Sequence, residues 1–152
     1  MAPYADADKI KSIVGEARLK SAAPKETADL DALLDDKAAA MSGRMDSYFR
    51  RGGYPTPIDT ASIADADVQA RTTELLAEVC SALVFESFVA GQRAISKGQD
   101  EARDWAIRWL EGIATGRLSL DGVTRTGKRL AVSGTTAPSI PSTLFSNLRF
   151  PV

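Results

Sequence analysis

Residues 45–57 read Met-Asp-Ser-Tyr-Phe-Arg-Arg-Gly-Gly-Tyr-Pro-Thr-Pro, and the rest of the chain is organised around them. Tyr48 and Phe49 close a long helical pattern. Arg50 and Arg51 follow where the unpaired carbonyls of a helix C-terminus favour cations. Gly52 and Gly53 can take the left-handed backbone angles that end a helix. Pro55 and Pro57 lack the amide donor that a continuing helix needs, and they push Tyr54 and Thr56 toward extended geometry. The stretch predicts a sharp stop and a stiff connector, a corner that anchors a core.

Upstream, Leu30, Leu34, Ala38, Met41, Met45 and Tyr48 recur at steps of three or four, which is one face of a helix. Thr27 is its expected N-cap. Asp29, Asp31, Asp35 and Asp36 crowd its N-terminal half and Arg44, Arg50 and Arg51 its C-terminal half, matching the helix dipole. The methionines and Tyr48 read as a core-facing seam rather than a partner-binding stripe. Residues 5–23 read as one or two short helical segments, capped by Asp6 or Asp8 and broken at Gly15. Ile10, Ile13 and Val14 share a face, and Pro24 closes the segment.

Downstream, residues 59–65 form a polar connector, with Asp65 or Asp67 as cap of the next helix. Val68, Thr72, Leu75, Leu76, Val79 and Leu83 give that helix an apolar face, and residues 80–88 are apolar nearly all round. A helix of that kind lies in the middle of its bundle. Gly91 and then Ser96-Lys97-Gly98 mark a turn. A fourth helix is expected from about Asp100 to Gly116, carrying Ala102, Trp105, Ala106, Trp109, Leu110 and Ile113, with Asp104 and Arg108 as an exposed pair. Gly112 and Gly116 permit a close approach or a tight exit. The fold class is therefore all-α, a compact bundle of about four helices.

From Val123 the composition turns to Thr, Ser, Gly and Pro with no helical period, and only 124–132 suggests a strand or hairpin. The organisation expected is a helical domain over 1–122 and an extended, irregular or partly β arm over 123–152. Residues 117–152 carry a net charge of +4, leaving −5 on the first 116. A basic arm on an acidic body predicts docking on something negative, such as a neighbouring copy. The candidate partner-binding residues are Arg125, Lys128, Arg129, Leu144, Phe145, Leu148, Arg149 and Phe150, because the apolar ones are out of place on a purely solvated tail.

The 152 residues suit one domain, and the formal net charge of −1 gives no overall pull toward nucleic acid or membrane. No apolar run approaches the roughly 18 residues of a membrane span. The N-terminal Met-Ala-Pro-Tyr-Ala-Asp-Ala-Asp has neither the basic start nor the apolar core of a signal peptide, which predicts synthesis and use in cytoplasm. Cys80 is the single cysteine, read as a small buried hydrophobe. There is no histidine, so an imidazole base, a serine triad and a histidine-held metal are all excluded. No phosphate-binding loop or dinucleotide fingerprint occurs. Asp31 and Asp35 share a helix face, which acidic clustering at a helix start explains without a metal. No enzyme, metal or cofactor is expected.

Two motifs carry a resemblance. One is the aromatic-basic helix end with its exit, Tyr48-Phe-Arg-Arg-Gly-Gly-Tyr-Pro-Thr-Pro-Ile58. The other is Trp105-Ala-Ile-Arg-Trp-Leu-Glu-Gly-Ile-Ala-Thr-Gly-Arg-Leu-Ser-Leu120. At this separation, over residues 5–122, they resemble the head–tail connector (adaptor) proteins of tailed bacteriophages, in the Mu-like prophage branch. The resemblance implies a non-enzymatic virion protein of the neck, assembled in the host cytoplasm as a homo-oligomeric ring of about a dozen copies under the portal protein. It implies docking of the next neck or tail component and passage of genomic DNA without sequence-specific recognition. The chain departs from the family in a longer tail and a less typical N-terminal segment. Arg50 and Arg51 read better as helix-end cations than as DNA contacts. Other neck or head-completion proteins are the alternative, although their cores are more often β-barrels. A small helical DNA-binding or regulatory domain would need a basic recognition helix, and every helix here is acidic or mixed.

Overall fold

The computed structural model describes residues 3–24, 27, 29–89 and 97–127. The order is α1 (Ala7–Val14), α2 (Glu16–Ala22), α3 (Leu30–Arg51), a 3-10 turn (Thr60–Ser62), α4 (Ala66–Val89) and α5 (Lys97–Thr115). No strand occurs among the described residues. The all-α bundle is as expected, with five helices because the N-terminal segment forms two. Gly15, at φ +96°, ends α1 and starts α2, a backbone state that residues with a Cβ rarely adopt. Asp6 caps α1 by accepting from Lys9 N–H at 2.8 Å.

The cap of α3 is not Thr27. Asp29 takes the position, its Oδ1 accepting from the N–H groups of Asp31 (3.0 Å) and Ala32 (3.1 Å). A carboxylate outcompetes a hydroxyl there because it also meets the positive end of the helix dipole. Asp65 caps α4 in the same way, through Asp67 and Val68 N–H. Lys97 and Gly98, expected in a turn, are the first residues of α5, and 91–96 lie outside the described residues. Asp104 accepts from its neighbour Arg103 rather than pairing with Arg108. Of the suggested strand at 124–132, residues 124–127 are irregular and the remainder lie outside the described residues.

The helix with the longest apolar run is the centre of the molecule. α4 packs against α1, α2, α3, α5 and the 3-10 turn. It buries Leu76, Val79, Cys80, Leu83 and Val84, against Leu34, Ala38, Met45 and Phe49 of α3 and Leu110 and Ile113 of α5. Truncating one such leucine to alanine costs about 2–5 kcal/mol. Cys80 is fully buried, and burial pushes its thiol pKa up, as befits a packing residue. Met45 lies in the core and Met41 and Tyr48 pack half-buried against it, so the α3 stripe is a seam.

α1 lies against α3 and α4, burying Ala7 and Ile10, and polar contacts fix its position. Tyr4 N–H donates to Ser42 Oγ at 2.9 Å, and the Tyr4 hydroxyl donates to Asp46 while accepting from Ile58 N–H at 2.8 Å. Ala7 N–H donates to Asp35, and Lys11 pairs with Asp31. The two aspartates that share a helix face are therefore docking points for α1. The Asp46 carboxylate, buried at 3% exposure, has its partner in the Tyr4 hydroxyl. Burial, reinforced by Asp46, raises the Tyr4 phenol pKa well above its usual value.

Candidate functional site: the corner between α3, α5 and the exit segment

The corner at 48–58 is a joint of three chain segments. Phe49, fully buried at the end of α3, makes edge-to-face contacts with Tyr4 (5.8 Å between centroids) and with Trp109 of α5 (6.2 Å). Such pairs add about 0.5–1.5 kcal/mol beyond their buried area. Gly52 sits at the C-cap with a right-handed backbone, φ −75°, rather than the left-handed one expected. Its glycine identity has another cause: a Cβ here would stand 2.6 Å from the Ile113 carbonyl oxygen of α5. The left-handed residue is Gly53, at φ +81°.

Beyond α5 the chain reverses. Gly116 exits at φ +73°, and Leu118 folds back so that its side chain covers Gly112, where a Cβ would be 2.6 Å from Leu118 Cδ1. Residues 118–127 then run to the corner. Leu120 N–H donates to the hydroxyl of buried Tyr54 at 2.9 Å. Thr126 and Gly127 N–H both donate to the Gly53 carbonyl at 3.0 Å. Thr72 of α4 donates its hydroxyl to the Asp121 carbonyl at 3.1 Å. Packing thus continues through Gly127, with Val123 half-buried against the core.

Arg125 is the one candidate partner-binding residue among those described. Its guanidinium lies over the Tyr54 ring, 4.9 Å from the centroid, and its Nη2 donates to the Leu118 carbonyl at 2.8 Å. It is half-buried and latches the exit segment to the corner. Lys128, Arg129, Leu144, Phe145, Leu148, Arg149 and Phe150 lie outside the described residues.

Among the described residues, no group of three or more Cys, Asp or Glu side chains is placed to hold a metal. No described helix is long and apolar enough to cross a membrane. A cleft of about 240 Å³ opens beside Pro3, Tyr4, Pro57, Ile58, Thr60, Thr73 and Leu76. It is smaller than most small-molecule sites and has no charged residue in its lining. Comparison with described protein families, with curated proteins and with solved structures finds no match.

The corner unites what sequence reading took as two separate motifs. Phe49 meets Trp109, Gly52 meets the Ile113 carbonyl, and Tyr54 meets Leu120. Sequence reasoning missed Tyr4 and Asp46 because their contact spans 42 residues.

Proposed function

We propose that this chain is a non-enzymatic structural adaptor of a phage neck, a subunit of a ring that binds the portal, extends the DNA channel and receives the next tail component. One observation carries the reading: both motifs that resemble head–tail connectors interlock in a single joint. Each motif supplies a face that the other needs, Phe49 and Gly52 from one, Trp109 and Ile113 from the other. Two separately weak motifs thereby become one structural device. The helical core also favours an adaptor over neck components with β-barrel cores. A ring needs a heterologous interface, in which one patch meets a different patch on the next copy. The apolar and basic residues beyond Gly127, with Phe145, Leu148, Arg149 and Phe150 among them, are the proposed arm for that contact or for the portal.

The test is quantitative mass spectrometry of purified particles from the source that encodes the chain. The expected result is about a dozen copies per portal ring, set by closed cyclic symmetry. Expression in induced cells with absence from particles would overturn the reading. Deleting residues 128–152, which leaves the Gly53–Gly127 contact in place, is expected to abolish ring assembly or portal binding.

A further inference from the structure

We propose that the cleft beside Tyr4 and Ile58 is a receptor for the chain's own C-terminal peptide, and that Phe145 and Leu148 fill it in the free subunit. The cleft selects apolar side chains. Pro3, Tyr4, Pro57, Ile58 and Leu76 form its walls, and Thr60 and Thr73 complete the lining. Proline has no amide to donate. The Tyr4 hydroxyl is already committed to Asp46, and it occupies the N–H of Ile58 as well. A ligand therefore meets hydrocarbon and two threonine hydroxyls, with no lining group to hold a charge. The volume of about 240 Å³ exceeds the roughly 150 Å³ of an apolar cavity that takes benzene. A phenylalanine ring thus leaves room for one aliphatic side chain beside it.

The path of the chain leads the peptide there. The segment after α5 is fastened to the connector between α3 and α4 at two points. At one, Thr126 and Gly127 N–H donate to the Gly53 carbonyl. At the other, Gly122 packs on Ile63 and Val68 so closely that a Cβ would stand 2.7 Å from Ile63 Cγ2. The lining residues Pro57, Ile58 and Thr60 lie between Gly53 and Ile63 in the sequence. Gly53 precedes Pro57 by four positions, so the chain beyond Gly127 starts within about 20 Å of the cleft wall. Leu144 comes 17 positions after Gly127 and can reach about 60 Å, which leaves ample length.

The chemistry of the segment matches the cleft. Phe145 and Leu148 supply the ring and the aliphatic group, and Arg149 follows Leu148 directly. Asp59, exposed between the lining residues Ile58 and Thr60, sets a carboxylate at the edge. Its Oδ1 accepts from Ala61 N–H, and no cation pairs with it among the described residues. Leu148 inside the cleft and Arg149 beside Asp59 satisfy both features. Tethering then decides between copies. A peptide joined to its receptor meets it at an effective concentration of order 1 mM, whereas a second copy in dilute solution offers micromolar. The chain's own body therefore wins by about a hundredfold or more while subunits are free. The segment that the adaptor reading sends to a neighbour or to the portal is in this way covered beforehand, and such a partner has to displace it.

The experiment is disulfide trapping in the full-length chain under oxidised glutathione, with Thr73→Cys at the cleft and Ser146→Cys between Phe145 and Leu148, read on a non-reducing gel. Cys80 is fully buried and stays out of the reaction. An intramolecular bond is expected to form at least about tenfold faster than in the control Ser21→Cys/Ser146→Cys, at a rate independent of protein concentration. Ser21 lies on α2, at the far end of α1 from Tyr4. Adding Phe145→Ser/Leu148→Ser is expected to remove the advantage while circular dichroism stays unchanged. The proposal is overturned by equal trapping at cleft and control, or by trapping that persists without the two apolar side chains. It is overturned too by a product that is mainly dimeric and grows with concentration, which makes a second copy the occupant. Particle composition tests the adaptor reading separately, so a chain found in particles whose arm ignores the cleft sinks only this inference.

Discussion

The two ends of α3 solve the same problem by opposite means. At its N-terminal end, Asp29 caps the helix itself while Asp31 and Asp35 reach outward to fix α1, through Lys11 and the Ala7 N–H. At its C-terminal end, buried Phe49 meets Tyr4 and Trp109 and the backbone completes the joint, Gly52 against Ile113 and Gly53 against Gly127. A polar side-chain contact can be rebuilt by water or a neighbour when it is lost. A backbone contact with no space for a methyl group cannot. The difference teaches that the acidic end is adjustable and the basic end is rigid.

The sharpest way to break this comparison is Gly52→Ala. Its methyl would meet a carbonyl oxygen at 2.6 Å on a helix that cannot yield locally. We expect a loss of about 3 kcal/mol, read by urea denaturation, with Tm lower by about 10 °C. A loss below about 0.5 kcal/mol would show that the joint relaxes, and the claim of rigidity would fail.

Next comes Tyr4→Phe on the side-chain-built half. It strips the buried Asp46 carboxylate of its donor and Ile58 N–H of its acceptor, a cost of about 2 kcal/mol. The pH dependence follows from the raised phenol pKa. The unfolded chain releases this proton near pH 10 whereas the folded chain holds it higher, so above about pH 10 the folded state binds more protons and stability falls as pH rises. The wild type should lose its advantage over Tyr4→Phe progressively above pH 10. Parallel profiles for the two proteins would contradict the assignment.

Arg125→Leu comes third, at about 1 kcal/mol, because it removes the contact with Tyr54 and the donor to Leu118. Its distinguishing readout is hydrogen exchange: Thr126 and Gly127 amides should exchange faster while the α4 core keeps its protection. The smallest effect is expected for Lys11→Gln. Asp31 raises the Lys11 pKa, yet the pair is open to water, and the denaturation midpoint should move little and less still in high salt.

Much of the fold was legible because it is written in local periodicity. The break at Gly15, the Asp65 cap and the central place of α4 each follow from residues within one or two turns. The Asp29 cap was less legible, since Thr27 stands two residues away with cap chemistry of its own, and only the path of the chain into the helix selects between them. The corner was half legible. Its stop signals are local, but Gly52 is required by α5 and Gly53 faces Gly127, partners that no window of sequence contains. Arg125 shows the limit most plainly: as a charge it looked outward, and its ring partner lies 71 positions away at Tyr54.

The pairing of Leu120 with Tyr54 spans 66 residues, and that of Ile58 with Tyr4 spans 54. Helices form from neighbours, but these closures must wait for distant chain to arrive, and long-range closure slows folding. Tyr54 leaves the ribosome well before Leu120, so its hydroxyl spends synthesis without its final partner. The Tyr54–Leu120 half of the corner therefore cannot close until the chain beyond α5 has been made.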